Sequence, residues 1–318
     1  MSQDQVLLMC PIYPPTQQRI EAGYQVHRYW TAPDPAALLA QIAPACRVVV
    51  TSGSYGIDAG TLAKLPHAEL ISCFGVGVDA IDLDYCRGHG IAVTNTPEVL
   101  TDDVADLAVG LMLAVLRKIP EGDRFVRAGR WLRGGLALAT AVSGRRVGIV
   151  GMGRIGQAIA DRLRAFKVEI GYHGPNRKQV PDRYFPDLVA MAEWADVVIA
   201  ACPGGAATRH IVSARVIEAL GPQGVFINIA RGSVVDQAAL VAALVAGKLG
   251  GAGLDVFDDE PNAPAELFAL DSVVLQPHVG SASAQTRQQM GDLTAGNVDA
   301  YFAKQPLLTP VVPLGRKG

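Results

Sequence analysis

Short apolar runs alternate with amphipathic stretches along the whole chain. In the first third, "QVLLMC", "RVVVTS" and "ELISCFG" are apolar runs ending near Gly, Ser or Pro, and "DPAALLAQIA" between them places its apolar residues at helical spacing. This alternation predicts a parallel α/β sheet. A second series runs through "RRVGIVG", "VEIGY", "ADVVIAACP", "GVFINIARG", "GGAGLDVF" and "SVVLQPH", with helical patterns at 155–166 and 236–246. It predicts a second, larger doubly wound sheet. Between the two series, the stretch from Thr101 to Trp131 predicts one long helix, with acids in its first turn and bases in its last. A Gly- and Ala-rich arm follows it. A last helix is predicted over roughly 284–304, before a Pro-rich tail.

Composition narrows the class. The chain has 318 residues, which favours two domains. Half of the residues are apolar and 18% are charged, as suits a well-buried globular enzyme. Lys plus Arg number 28 against 30 Asp plus Glu, a near-balance that gives no electrostatic drive toward nucleic acid or an anionic membrane. The N-terminus has no cationic segment before its short apolar run, so a secretory signal is not expected. The longest apolar stretch, 107–116, is too short to span a bilayer. Cys10, Cys46, Cys73, Cys86 and Cys202 show no paired spacing and read as buried, reduced thiols of a cytoplasmic protein. No metal site is expected.

The chemistry concentrates at predicted strand ends. In "VGIVGMGRIGQAIADRLRAF", Gly151, Gly153 and Gly156 stand between a strand run and an amphipathic helix. Gly151 permits a tight turn, Gly153 lets a pyrophosphate approach the backbone, and Gly156 lets helix and strand pack closely; the helix N-terminus offers free N–H groups. An NAD site then wants a carboxylate about 20 residues past the first glycine, to hold the ribose hydroxyls. Here that window is Tyr172, His173 and Gly174, followed by Asn176, Arg177 and Lys178. A missing carboxylate with an Arg and a Lys nearby suits a 2′-phosphate, so NADP(H) is expected to be preferred, with NAD(H) weaker. Read singly, Arg177 and Lys178 also fit solvated loop charges.

Arg231 in "FINIARGSVVD", Glu260 in "LDVFDDEP" and His278 in "LQPHVGSAS" each follow a strand run. Taken one at a time they also fit a surface arginine, a loop acid and a structural histidine. Together they suit hydride transfer to a 2-keto acid. The arginine holds a carboxylate through two parallel bonds, the histidine donates a proton, and the glutamate favours the charged imidazole. Gly75, Val76 and Gly77 in "CFGVGVDAID" fit either a simple turn or backbone N–H donors to the same carboxylate.

These motifs, in this order, resemble the D-isomer-specific 2-hydroxyacid dehydrogenase family over nearly the whole chain, most closely its glyoxylate/hydroxypyruvate reductases and plant-type hydroxyphenylpyruvate reductases. The resemblance implies a Rossmann-type dinucleotide domain, residues 101–283, inserted in a flavodoxin-like substrate domain, residues 1–100 and 284–318, with the active site in the cleft. It implies a homodimer in which an arm over 130–141 reaches the partner. Arg231 matches the substrate-binding and polarising arginine, Glu260 the acid that orients the histidine, and His278 the proton donor. Val76 and Gly77 match the carboxylate-binding backbone. The dinucleotide contacts implied are Gly151, Gly153, Arg154, Ile155, Gly156, His173, Gly174, Asn176, Arg177, Lys178, Cys202, Pro203, Ala230, Asp255 and Gly280. The chain departs from the family at Ala80, where many members have Asn, at Asp106, and in "GGAATRH" after Pro203. The expected function is reduction of a short 2-keto acid to its D-2-hydroxy acid. A dinucleotide-sensing, corepressor-like protein of the same fold is the alternative. The single chain does not say which keto acid is preferred. Loops around Ser52 to Tyr55 and Leu100 are expected to form the side-chain pocket. Phosphoglycerate dehydrogenase is disfavoured by the lack of a further domain after residue 318, and formate dehydrogenase by the glutamate partner.

Overall fold

The computed structural model describes residues 4–315. They form two compact units, one of residues 4–100 with 282–315 and the other Thr101–Ser281.

The first unit is built on a six-stranded sheet. Its strands are β1 (Gln5–Leu8), β2 (Gln25–Arg28), β3 (Val48–Ser52), β4 (Leu70–Phe74), β5 (Ala92–Thr94) and, returning from the C-terminus, the last strand of the chain, Pro310–Val312. The parallel part has the order β5-β4-β3-β1-β2, the flavodoxin-like arrangement. The apolar runs become its centre because a parallel strand is covered on both faces: Val48, Val49 and Val50 are all fully buried.

The second unit carries seven strands: β6 (Arg146–Val150), β7 (Glu169–His173), β8 (Arg183–Phe185), β9 (Val197–Ala200), β10 (Val225–Asn228), β11 (Gly251–Leu254) and β12 (Val273–Leu275). Their order, β12-β11-β10-β9-β6-β7-β8, is all parallel and Rossmann-type. The order reverses between β6 and β9, so the glycine turn after β6 stands beside the turn after β9.

Polar residues set the helix starts. Asp34, Asp58, Asp82, Asp187, Asp236 and Ser283 each accept an N–H from the first turn of the helix that follows. The helix predicted over 284–304 is Ala284–Phe302. The long helix predicted from Thr101 is two helices, Thr101–Leu116 and Ile119–Arg127, broken where Lys118 takes φ 52°. Pro120 explains the break: it lacks the N–H an interior position would donate, and the interruption puts it in a first turn, where that donor is not needed.

The Pro-rich tail is not merely a tail. Pro310–Val312, β13, pairs antiparallel with β5, so the first sheet is mixed rather than purely parallel. The buried Asn297 arranges it: its Oδ1 accepts the N–H groups of Leu308 and Thr309 at 2.9 and 3.3 Å, and its Nδ2 donates to Leu293 O at 2.8 Å. Within the second unit, a Cβ placed on Gly280 would lie 3.5 Å from Val104, so the first turn of the helix Thr101–Leu116 and the segment leaving the unit are neighbours.

Candidate active site

The turn after β6 has the shape a pyrophosphate requires. Gly151 has φ 99°, and a Cβ there would lie 2.7 Å from the Cys202 backbone; a Cβ on Gly156 would lie 2.1 Å from Gly151 O. Both positions need glycine so that the strand, the helix and the neighbouring turn can meet. A Cβ on Gly153 would meet nothing within 4 Å, so its open side is available to a ligand. Arg154 and Ile155 begin the helix Arg154–Arg164, whose N-cap is Gly153 and whose first turn has no side-chain cap. A helix N-terminus without a side-chain cap, set beside an open glycine, fits a dinucleotide pyrophosphate. Arg162 anchors this helix by donating to Asp102 at 2.8 Å and to Asp106, the position noted above as a departure.

His173 closes β7, and its carbonyl accepts the Gly151 N–H at 2.8 Å, so the expected ribose window does abut the glycine turn. The His173 Nδ1 lies 3.0 Å from Phe185 O. A carbonyl can only accept, so Nδ1 carries the proton and Nε2 is the nitrogen left for a ligand. A Cβ on Gly174 would meet nothing within 4 Å. Asn176, Arg177 and Lys178 are exposed in the loop after it, and among the described residues neither cation pairs with a carboxylate. Cys202 is buried, which pushes its thiol up to about 11 and keeps it protonated at neutral pH. Pro203 beside it is exposed, with its carbonyl held by Thr208 Oγ1 at 2.7 Å.

Arg231, Glu260 and His278 occupy one neighbourhood of this unit. Arg231 follows β10 in a turn fixed by Asn228, which accepts the N–H of the buried Ala230 at 3.0 Å and donates to Arg231 O at 2.9 Å. The next residue, Gly232, allows that turn to press on another backbone: a Cβ there would lie 2.0 Å from the Phe257 carbonyl carbon. The segment so approached leads to Glu260. One Glu260 oxygen accepts the Phe257 N–H at 3.1 Å, and the other lies 2.7 Å from His278 Nδ1. Burial alone would raise the Glu260 carboxyl, but the His278 imidazole, the Phe257 N–H and the Arg231 charge together hold it below its ordinary value. With Nδ1 turned to Glu260, Nε2 of His278 is the ring nitrogen available for proton transfer.

His278 has φ 53°, a conformation rare for a side-chain-bearing residue. Asp255 holds it there. Its carbonyl accepts the His278 N–H at 2.8 Å, and its carboxylate accepts Val279 N and Gly280 N at 2.7 and 2.8 Å. Burial pushes this carboxyl up despite the two donors. Asp255 and Gly280, expected at the cofactor, also take part in the clasp beneath His278, a relation the sequence does not signal. Sequence reasoning also missed Gly232 and Asn228. The signal for Gly232 was a glycine directly after the arginine, at a strand end.

In the first unit, the turn after β4 presents Val76 and Gly77. The carbonyls of Gly75, Val76 and Gly77 are taken by Thr96 N, Asn95 Nδ2 and the Cys73 thiol at 2.9, 2.9 and 3.6 Å. Among the described residues no acceptor takes the N–H groups of Val76 and Gly77, which fits a carboxylate ligand. Ser52 lies at the end of β3, with its hydroxyl 3.5 Å from the Cys10 thiol and accepting Tyr55 N at 3.2 Å, so the loop expected to shape a pocket is internally braced.

Comparison with known proteins bears on what these groups do. Residues 109–280 match the family model described as D-isomer specific 2-hydroxyacid dehydrogenase, NAD binding domain. Among curated proteins, the chain is 50% identical over 308 residues to a hydroxyphenylpyruvate reductase of Plectranthus scutellarioides, covering 96% of this chain and 98% of that one. It is 49% identical to a glyoxylate/hydroxypyruvate reductase A of Arabidopsis thaliana, with the same coverage. Among solved structures, an NADPH-dependent glyoxylate/hydroxypyruvate reductase from Sinorhizobium meliloti, in complex with NADP and malonate, superposes with a TM-score of 0.92 at 43% identity, covering 100% of both chains.

Proposed function

This chain belongs to the D-isomer specific 2-hydroxyacid dehydrogenase family, and from that premise we propose that it reduces a short 2-keto acid, of the glyoxylate or hydroxypyruvate type, to the D-2-hydroxy acid with NADPH as reductant. The observation that carries this reading is the 2.7 Å contact of Glu260 with His278 in the neighbourhood of Arg231. The glycine turn of Gly151, Gly153 and Gly156 and the helix N-terminus after it would hold the dinucleotide, which would supply a hydride for the carbonyl carbon. His278 donates the balancing proton from Nε2 to the carbonyl oxygen, while Glu260 stabilises the imidazolium that must be present beforehand. Arg231 grips the substrate carboxylate and polarises the adjacent carbonyl. The N–H groups of Val76 and Gly77 suit the same anionic chemistry. The curated relatives named above are reductases, which favours an enzyme over a corepressor-like sensor.

The preference for NADPH over NADH rests on the missing carboxylate after β7, on Arg177 and Lys178 in its place, and on the NADPH dependence of the Sinorhizobium relative. A homodimer is part of the proposal. Trp131, Leu132 and Leu138 are 69%, 93% and 96% exposed, and apolar side chains of that size call for a covering surface; sedimentation of the wild type should give twice the chain mass. No helix among the described residues is long and apolar enough to cross a membrane. A cytoplasmic location is part of the proposal, supported by five cysteines without paired spacing, which suit a reducing compartment.

The test is steady-state turnover of glyoxylate and hydroxypyruvate with each nicotinamide cofactor. Both acids should be reduced, with higher kcat/KM for NADPH. In His278→Ala, kcat should fall by about 10²–10⁴-fold while dinucleotide binding persists. Absence of turnover across a panel of short 2-keto acids would leave a binding protein instead.

A further inference from the structure

The cationic loop after β7 is shaped by two tyrosine hydroxyls. Tyr172 lies one residue before the end of β7, with its ring buried. Its hydroxyl accepts the Lys178 N–H at 2.7 Å and donates to the Lys178 carbonyl at 3.3 Å. Tyr184 stands opposite Tyr172 in the ladder between β7 and β8, and its hydroxyl donates to Gly174 O at 3.1 Å. The two rings lie 5.3 Å apart, tilted by 45°. The loop has no helix or strand of its own, yet both ends of the segment from Gly174 to Lys178 are tied to neighbouring rings.

We propose that Tyr172, assisted by Tyr184, is a specificity-determining positioning residue, whose hydroxyl holds the backbone of Asn176, Arg177 and Lys178 ready to receive a ribose 2′-phosphate. The inference rests on the NADP(H) reading above. Its physical basis is preorganisation. Exposed Arg and Lys side chains lose rotamer freedom when they engage a phosphate, and a slack backbone would add its own ordering cost. A fixed backbone leaves only the side chains to be ordered. The short edge strand β8 then has a use beyond widening the sheet, since it brings Tyr184 into register with Tyr172. Neither tyrosine needs to touch the cofactor for this.

Tyr172→Phe and Tyr184→Phe keep the packed rings and remove only the hydroxyls. Each full-length variant and the wild type are titrated calorimetrically with adenosine 2′,5′-bisphosphate and with adenosine 5′-monophosphate, which differ by the 2′-phosphate alone. Loss of the hydrogen bonds to Lys178 should weaken the bisphosphate roughly three- to tenfold in Tyr172→Phe, and by less in Tyr184→Phe, with the monophosphate unchanged. KM for NADPH should rise in step, while kcat and KM for NADH stay put. Equal weakening of both nucleotides would mean a general structural role and overturn the proposal. A wild type that prefers the bisphosphate, with both variants retaining that preference in full, overturns the inference alone. A wild type indifferent to the 2′-phosphate removes the NADP(H) reading and the inference with it.

Discussion

Nδ1 of His278 lies 2.7 Å from Oε2 of Glu260, and that contact, with the Phe257 N–H and the Arg231 charge, holds the Glu260 carboxyl below its ordinary value against the effect of burial. Reduction needs a proton delivered from Nε2, and a carboxylate on Nδ1 orients the ring that delivers it. In Glu260→Gln kcat for reduction should fall, by less than in His278→Ala, while dinucleotide affinity is retained. An unchanged kcat, with chemistry shown to be rate-limiting by a primary isotope effect, would separate Glu260 from proton donation.

The same carboxyl links folding to acidity. Its folded-state value is depressed, so the unfolded chain binds the proton more readily; the stabilisation is present above the ordinary carboxylate range and is lost as pH falls through the folded value. The Tm gap between wild type and Glu260→Gln should be widest near neutral pH and should close on acidification. A gap that is constant with pH would show that packing, not ionisation, accounts for it.

Arg231 stands in a turn braced by Asn228 and pressed against Phe257. Lysine keeps the charge but not the planar fork that matches a carboxylate. Arg231→Lys should raise KM for the keto acid and lower kcat, and Arg231→Ala should do worse, while dinucleotide affinity is retained. Normal kinetics in both variants would remove Arg231 from the site.

Arg177 is exposed and without a carboxylate partner among the described residues, so its guanidinium is available to a phosphate. A hydrogen bond to a charged group is worth roughly 1.5–3 kcal/mol, or about one to two orders of magnitude. Arg177→Ala should weaken NADPH by that factor and leave NADH nearly untouched. Equal impairment with the two cofactors, compared at one ionic strength, would reassign the residue.

Much of this was legible in the sequence for a simple reason. A parallel strand is buried on both faces and writes itself as an apolar run, and β1, β3, β4, β6, β9 and β10 all do so. The short, less regular strands left no such mark. β2 is half-exposed, β8 has only Phe185 buried, and β13 exists because Asn297 and Thr309 recruit a Pro-rich segment from far along the chain. The helix break at Lys118 had a cue in Pro120, outweighed by strong helical patterning on both sides. At the site, residue types announced Arg231, Glu260 and His278. The clasp by Asp255 depends on main-chain hydrogen bonds, and the Tyr172–Tyr184 match depends on strand register; neither is visible until the chain is folded.

The nearness of Val104 to Gly280 has an architectural consequence. The second unit begins and finishes at one spot, like a cassette spliced into a host. Its entry and exit lie close together, so lengthening, duplicating or exchanging what lies between Thr101 and Ser281 need not move the two junctions apart. The first unit can thus keep its sheet order, with β13 closing beside β5, while a long stretch of chain is threaded between two of its neighbouring strands. For protein engineering, the pair of junctions beside Leu100 and Ala282 marks where a dinucleotide module of different cofactor preference could be grafted.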